Sequence, residues 1–387
     1  MNATALPATP EPPSDGLAPV YAQYPLEVAS AEGVWLIGAR GERVLDLYGG
    51  HAVAALGYGH RGWTEALTAQ ARACQFQTNA LPMPIRARAA RRLLDFSGLD
   101  FASVFLVSSG AEANENALRL ALRMTSRPQV AALEGGFHGR TAAASAVTWG
   151  SEAWYGFPHK PFDVTFLPRG ELAAVDAQVT ERTAAVIVEP VQGLAGAVDL
   201  GAEYLAALRR RCDQVGALLI FDEVQCGFGR IGAPFAATLY GVMPDMITTA
   251  KALGNGFPVA ALLTSAKVSA TLRVGLLGTT YGGGPMACAT VLAAVDAIES
   301  EGLLENVRRV SAYIRSTCVV GPVTATQGEG FLLGLRTSRP AKQIQAQLLQ
   351  RGILAGGAND PNVVRLLPPF ILKEEHVDLL RNALSDL

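Results

Sequence analysis

The feature of this 387-residue chain that most narrows its possible folds is a series of seven short apolar runs. They are SVFLVS (103–108), VAALE (130–134), VTFLP (164–168), AAVIVE (184–189), LLIFDE (218–223), MITTA (246–250) and VAALLTS (259–265). Their apolar residues are continuous rather than alternating, which fits strands buried on both faces. Amphipathic stretches such as NENALRLALRM and EYLAALRRRCDQVG lie between several of them. Strands joined by helices predict an α/β fold whose large domain holds a seven-stranded, mostly parallel sheet. Ahead of the series, EGVWLIGARGERVLDL reads as a hairpin around Gly41. After Gly284 a long helix, MACATVLAAVDAIESE, leads into a smaller α+β unit. The length exceeds what one core usually serves. The expected division is a disordered tail (1–19), a segment joining the small domain (20–59), a large domain (60–284) and a C-terminal small domain (285–387).

The net charge of −2 supplies no electrostatic pull toward nucleic acid or an anionic membrane, so neither is expected as a partner. The five cysteines, Cys74, Cys212, Cys226, Cys288 and Cys318, are scattered and form no CxxC pair. That pattern suits a reduced compartment, with no disulfide frame and no metal site. No apolar run is long enough to span a bilayer. The opening MNATALPATPEPPSDGLAP lacks the basic start and apolar centre of a signal peptide. A cytoplasmic protein is the expectation.

Ligands of open α/β sheets bind beyond the carboxyl ends of the strands, so the loops there carry the chemistry. Run 103–108 leads into SSGAEANENAL, where Ser109 and Gly110 form the turn and a helix begins near Ala111. Such a helix start presents unpaired N–H groups suited to a phosphate, although a plain serine-capped turn reads the same way. Asp222 closes the apolar run LLIFD, where a carboxylate needs a cationic or hydrogen-bonding partner. A protonated ring nitrogen is one such partner, and a structural role is the other reading. Lys251 follows MITTA, just past an apolar run and ahead of a glycine-rich turn. A desolvated amine there has a lowered pKa and is ready to form an imine. The other lysines, Lys160, Lys267, Lys342 and Lys373, lie in polar loops or helix faces. In GGFHGRT, Phe137 can stack on an aromatic ring and Arg140 can clamp a carboxylate. His138 is equally compatible with a structural and a catalytic role. GTTYGGG (278–284) brings two hydroxyls, Thr279 and Thr280, in a glycine-rich loop.

Together these blocks resemble the class III aminotransferases of pyridoxal 5′-phosphate (PLP) fold type I, the acetylornithine aminotransferase group in particular. DLYGGHAVAALGYGH, SSGAEANENAL, FHGRT, VEPVQG, IFDEVQCGFGR, TTAKALGNGFP and GTTYGGGPMACA carry the resemblance, which extends from about residue 30 to the C-terminus. It implies that Lys251 holds the cofactor covalently and moves the proton, and that Asp222 pairs with the pyridine nitrogen. It further implies that Gln225 approaches the ring's 3-oxygen and that Phe137 stacks on the ring. Gly110 and Ala111, with Ser109 beside them, would bind the phosphate. Thr280 would reach the phosphate of a second subunit, which makes a homodimer the expected assembly. Arg140 and Arg365 resemble the family's two carboxylate-binding arginines.

The implied reaction moves the ω-amine of an N-acylated ornithine, N-acetylornithine foremost, to 2-oxoglutarate. N-succinylornithine, a carrier-bound aminoadipate-semialdehyde substrate, free ornithine and 4-aminobutyrate are alternative donors, and a PLP aminomutase shares the scaffold. Three positions depart from the family pattern. Leu194 in VEPVQGLAG stands where a glutamate is usual, Gly284 stands for Asn, and Arg61 stands for Pro.

Overall fold

The computed structural model describes residues 16–387. Of the tail expected at 1–19, residues 1–15 lie outside the described part. All seven apolar runs form strands of one sheet: β1 (Phe101–Val107), β2 (Gln129–Leu133), β3 (Asp163–Leu167), β4 (Thr183–Val188), β5 (Leu218–Asp222), β6 (Met246–Thr249) and β7 (Ala260–Ser265). Their spatial order is β1-β7-β6-β5-β4-β2-β3. Strands β3, β2, β4, β5 and β6 run parallel, and β7 is antiparallel to both β6 and β1. The reversal has a simple cause. Only residues 250–259 separate β6 from β7, whereas a parallel return needs a crossover of about a dozen residues or more.

The central strands β4, β5 and β6 are buried at every position. Each fully buried Val, Leu or Ile there contributes roughly 1.5–3 kcal/mol by leaving water. Helix α1 (Gly110–Thr125) lies against this sheet. Ser109 caps it, its Oγ accepting from the Glu112 N–H at 3.2 Å, while Ser126 in the left-handed region ends it. Its buried residues, Ala113, Ala117, Leu118, Leu120 and Ala121 among them, recur with the helical period and face the strands.

The register sets the site. Asp222, the last residue of β5, pairs with Thr248 of β6. Lys251, three residues beyond Thr248, therefore leaves the sheet at the same carboxyl end, one strand away.

Chain segments from both termini close over that end. The strands Val28–Glu32, Trp35–Gly38 and Arg43–Asp46 form an antiparallel meander, turning at Gly41 with φ +84° as expected. Ile353–Leu354 adds to it in parallel. A three-stranded antiparallel sheet, Val323–Glu329, Leu332–Thr337 and Val363–Leu366, carries Arg365. The long helix after Gly284 runs Pro285–Ser300 and packs on helices Arg61–Ala73 and Pro84–Ser97. Fully buried Arg230 ties the two terminal regions together. It donates to the carbonyls of Ala52 and Pro368 and stacks on Phe370. Among the described residues no helix is long and apolar enough to cross a membrane, and no group of His, Cys, Asp or Glu is arranged to hold a metal ion.

Glu223, next to Asp222 and fully buried, accepts from the backbone N–H groups of Ala236 and Ala237 at the start of helix Ala236–Tyr240. Burial pushes its carboxyl up from the ordinary 4.5 to about 8, against the pull of those two donors. A carboxyl raised in the folded state favours folding fully below the unfolded pKa and loses that contribution as pH rises through the folded one. Wild-type stability should therefore fall, relative to Glu223→Gln, as pH rises from about 4.5 to about 8. Urea unfolding of both proteins across that range checks this, and parallel pH curves would count against it.

Candidate active site

The carboxyl end of the sheet opens onto a cavity of about 600 Å³. Ser109, Gly110, Ala111, Phe137, Arg140, Asp222, Gln225 and Lys251 all line it. Eight positions picked from separate stretches of sequence thus meet in one space. Arg365 is buried behind Gln225, donating to its Oε1 at 3.2 Å and to the Gly357 carbonyl. Thr280 is exposed and lies outside this cavity. Neither Arg61 nor Gly284 lines it.

Asp222 is held on three sides. Its Oδ2 accepts from Asn114 Nδ2 at 2.7 Å and from His138 Nδ1 at 2.8 Å, and its Oδ1 accepts from the Val224 N–H at 3.1 Å. Asn114 is fixed in turn, donating to the His138 carbonyl at 2.8 Å and accepting from Thr248 Oγ1 at 2.6 Å. His138 is fully buried as a side chain, so its structural reading gains content: it anchors the strand-end carboxylate.

Lys251 has φ +48°, a backbone conformation that a non-glycine residue adopts at a cost. Among the described residues its Nζ makes no hydrogen bond or ion pair. Burial lowers its pKa, and Arg365 adds to that, while the carboxylates of Asp222 and Glu189 oppose it. A larger neutral fraction is what a nucleophilic amine requires.

At the start of α1 the N–H groups of Gly110 and Ala111 have no intrahelical acceptor. A Cβ on Gly110 would come within 2.8 Å of both γ-carbons of Val224, so only glycine lets the loop after β5 approach this turn. Gly193 is constrained likewise, since a Cβ there would lie 1.7 Å from Gln225 Oε1. The loop bearing Phe137 is pinned by Glu189, which accepts from the Phe137 N–H at 2.8 Å and the Gly193 N–H at 3.1 Å. Burial and the neighbouring Asp222 raise the Glu189 carboxyl. Arg140 stands at the rim with its guanidinium 4.3 Å from the Trp154 ring centre. Leu194 also lines the cavity, so no carboxylate occupies the position where the resemblance would put one.

The sequence reading did not single out Asn114, Glu189, His51 or Trp154. Asn114, Glu189 and His51 stood inside the quoted blocks SSGAEANENAL, VEPVQG and DLYGGHAVAALGYGH, whereas Trp154 gave no signal beyond residue type.

The chemistry of the donors fits a flat, phosphorylated, ring-nitrogen cofactor: anion-binding N–H groups, a carboxylate for a protonated nitrogen, an aromatic face and an amine with a lowered pKa. The fold and this cavity define a PLP enzyme of fold type I. More narrowly, the chain belongs to the class-III aminotransferases, a family matched over residues 17–387. It is 41% identical to the acetylornithine aminotransferase of Streptomyces coelicolor across 95% of this chain and 92% of that protein. Its structure is similar to that of an acetylornithine aminotransferase from Elizabethkingia anophelis, with a TM-score of 0.86, 27% identity and 96% of each chain covered. It is also similar to the ornithine aminotransferase of Toxoplasma gondii in a structure with partial occupancy of PLP, with a TM-score of 0.89, 25% identity, and 96% of this chain and 91% of that one covered.

Borohydride reduction of the PLP-loaded enzyme followed by peptide mapping should place the pyridoxyl group on Lys251. An adduct on Lys160, Lys267, Lys342 or Lys373 instead would overturn the reading. Asp222→Asn should keep that adduct while slowing single-turnover chemistry by about 10²–10³, the usual loss for one preorganised electrostatic contact. A near-wild-type rate would remove Asp222 from that role.

Proposed function

We propose that this aminotransferase moves the ω-amine of an N-acylated ornithine, N-acetylornithine foremost, to 2-oxoglutarate, giving a semialdehyde and glutamate. Arginine biosynthesis in the cytoplasm is the corresponding setting. The observation that carries the proposal is one reactive amine flanked by two guanidiniums, Arg140 at the rim and Arg365 behind Gln225. The 41% identity to the Streptomyces coelicolor enzyme supports the same donor class.

When bound, PLP supplies an electron sink that lets the amine-bearing carbon of the donor give up its proton. Lys251 would hold the cofactor through its amine, and that amine, when free, is the group placed to take up and return the proton. Asp222, oriented by Asn114 and His138, would keep the ring nitrogen protonated. Gln225 would face the ring's 3-oxygen and Phe137 would stack on the ring. The N–H groups of Gly110 and Ala111 would receive the phosphate, with Ser109 beside them. Arg140 holds the α-carboxylate of the donor, and Arg365 the distal carboxylate of 2-oxoglutarate. The division into a cofactor-binding domain over 60–284 and a small domain over 285–387, joined by 20–59, belongs to this proposal.

Free ornithine would bring an ammonium close to Arg140, an unfavourable pairing that an acyl group removes. 4-Aminobutyrate has no α-substituent to fill the acyl space. Leu194 leaves Arg365 without a glutamate to mask it. On this reading kcat/KM is highest for the N-acylated donors, and Leu194→Glu raises the KM for 2-oxoglutarate. Steady-state rates for N-acetylornithine, N-succinylornithine, ornithine and 4-aminobutyrate check both points. A tenfold preference for free ornithine or 4-aminobutyrate would sink the donor assignment and leave the aminotransferase intact.

Thr280, exposed and outside its own chain's cavity, is suited to reach the phosphate bound by a second copy, so the proposed active form is a homodimer. Sedimentation of the active enzyme should show that dimer, and a fully active monomer would refute it.

A further inference from the structure

Arg86 stands in the first turn of helix Pro84–Ser97, where a cation opposes the helix dipole. Its use lies outside that helix. Nη1 donates to the Thr78 carbonyl at 3.0 Å and to the Leu81 carbonyl at 2.7 Å, Nη2 to that of Gln77, and Nε to that of Gly283 at 2.8 Å. Four of the five guanidinium N–H groups thus meet backbone oxygens. Three of these acceptors belong to the connection 74–83, and the fourth belongs to the glycine-rich loop 278–284. Asn79 adds a second tie between the two segments, its Nδ2 donating to the carbonyls of Gly282 at 2.9 Å and Thr279 at 3.4 Å. Among the described residues no carboxylate pairs with Arg86. Its fork is therefore given over to holding one loop against another, a task that the single nitrogen of a lysine cannot repeat.

The clamped loop presents one free hydroxyl. A Cβ on Gly282 would lie 2.4 Å from the Leu106 carbonyl, so the loop rests directly on β1, the edge strand of the large sheet. Thr279 Oγ1 accepts from the Gly282 N–H at 3.2 Å and is used within the loop. Among the described residues the Thr280 hydroxyl makes no hydrogen bond, and Thr280 is exposed. The sequence leaves the two threonines alike, and the loop geometry separates them. Exposed Phe76, Leu81 and Tyr281 lie on the same two segments, with the Phe76 and Tyr281 rings 5.4 Å apart. Such apolar surface around Thr280 suits cover by another protein surface.

We propose that Arg86 is a positioning residue for the cofactor site of the neighbouring subunit: by clamping loop 278–284 to the connection 74–83, it fixes where Thr280 meets the phosphate bound by a second copy. The inference rests on the proposed homodimer. It makes the PLP affinity of each site depend on an arginine that belongs to the other subunit.

The test measures PLP affinity at a single site in hybrid dimers. A Lys251→Ala subunit cannot hold PLP through that amine. Paired with a subunit whose Lys251 is intact, it leaves one site at which borohydride can fix PLP, and titration reads the affinity of that site. Arg86→Ala on the Lys251→Ala subunit should weaken it by about tenfold or more, the scale for losing a hydrogen bond to a charged group. Arg86→Lys, which keeps the charge and loses the fork, should do the same. Either substitution on the subunit with intact Lys251 should leave that site within about twofold of wild type. Thr280→Val on the Lys251→Ala subunit should weaken binding at least as much, and Arg86→Ala added to it should weaken binding little further. Equal losses whichever subunit carries the Arg86 substitution, or no loss in either hybrid, would overturn the role of Arg86. No loss from Thr280→Val across the interface would overturn the reading of Thr280 and this inference with it.

Discussion

The structure turns on a carboxylate buried at the end of the fully buried strand β5. Asp222 is 2% exposed, and a charge in that position is costly unless hydrogen bonds replace the lost water. Three donors do so: Asn114 from α1, His138 from the loop after β2, and the Val224 backbone. Each belongs to a different segment, so satisfying one oxygen pair also fixes the helix that presents the anion-binding turn and the loop that presents Phe137. The price of burying Asp222 is repaid as alignment. Asp222, Phe137 and the start of α1 thus take their relative positions from one hydrogen-bonded centre.

The second constraint is closure by the chain's two ends. Arg230 donates to carbonyls at Ala52 and Pro368, so the N-terminal turn bearing His51 and the stretch just after Arg365 are held by one guanidinium. Burial lowers its pKa to about 9, which measures how fully that group is removed from water. Among the described residues no carboxylate touches it, and its charge faces the Ala52 and Pro368 carbonyls and the Phe370 ring. This arrangement places Arg365 behind Gln225 rather than on the cavity surface. Gly193 must lack a side chain for Gln225 to stand there at all. The glutamate position taken by Leu194 then leaves Arg365 hydrogen-bonded to neutral groups, Gln225 and the Gly357 carbonyl.

Class III aminotransfer in this chain is therefore a matter of two linked layers. One layer, built on β5 and its neighbours, carries Asp222 and its hydrogen-bond partners. The other, built from both termini, carries His51 and Arg365. Lys251 is where they meet, since its amine responds to Asp222 and Glu189 on one side and to Arg365 on the other.

The seven strands, the helix starts and the positions of Lys251, Asp222 and the glycine-rich turns were legible in the sequence. Those signals are local: hydrophobic continuity marks a doubly buried strand, and a capping serine before a helix marks its start. The antiparallel return of β7 was equally available from the short 250–259 connection, although the runs themselves look alike. What the tertiary structure decided is everything that depends on distance along the chain. Asn114 and Asp222 are 108 residues apart, and Arg365 and Gln225 140. No periodicity links such pairs, because they meet only after the sheet order and register have formed. The same holds for Arg86. Its residue type was visible from the start, but the carbonyls of Gln77, Thr78, Leu81 and Gly283 converge on it only because the fold lays the glycine-rich loop beside the connection 74–83.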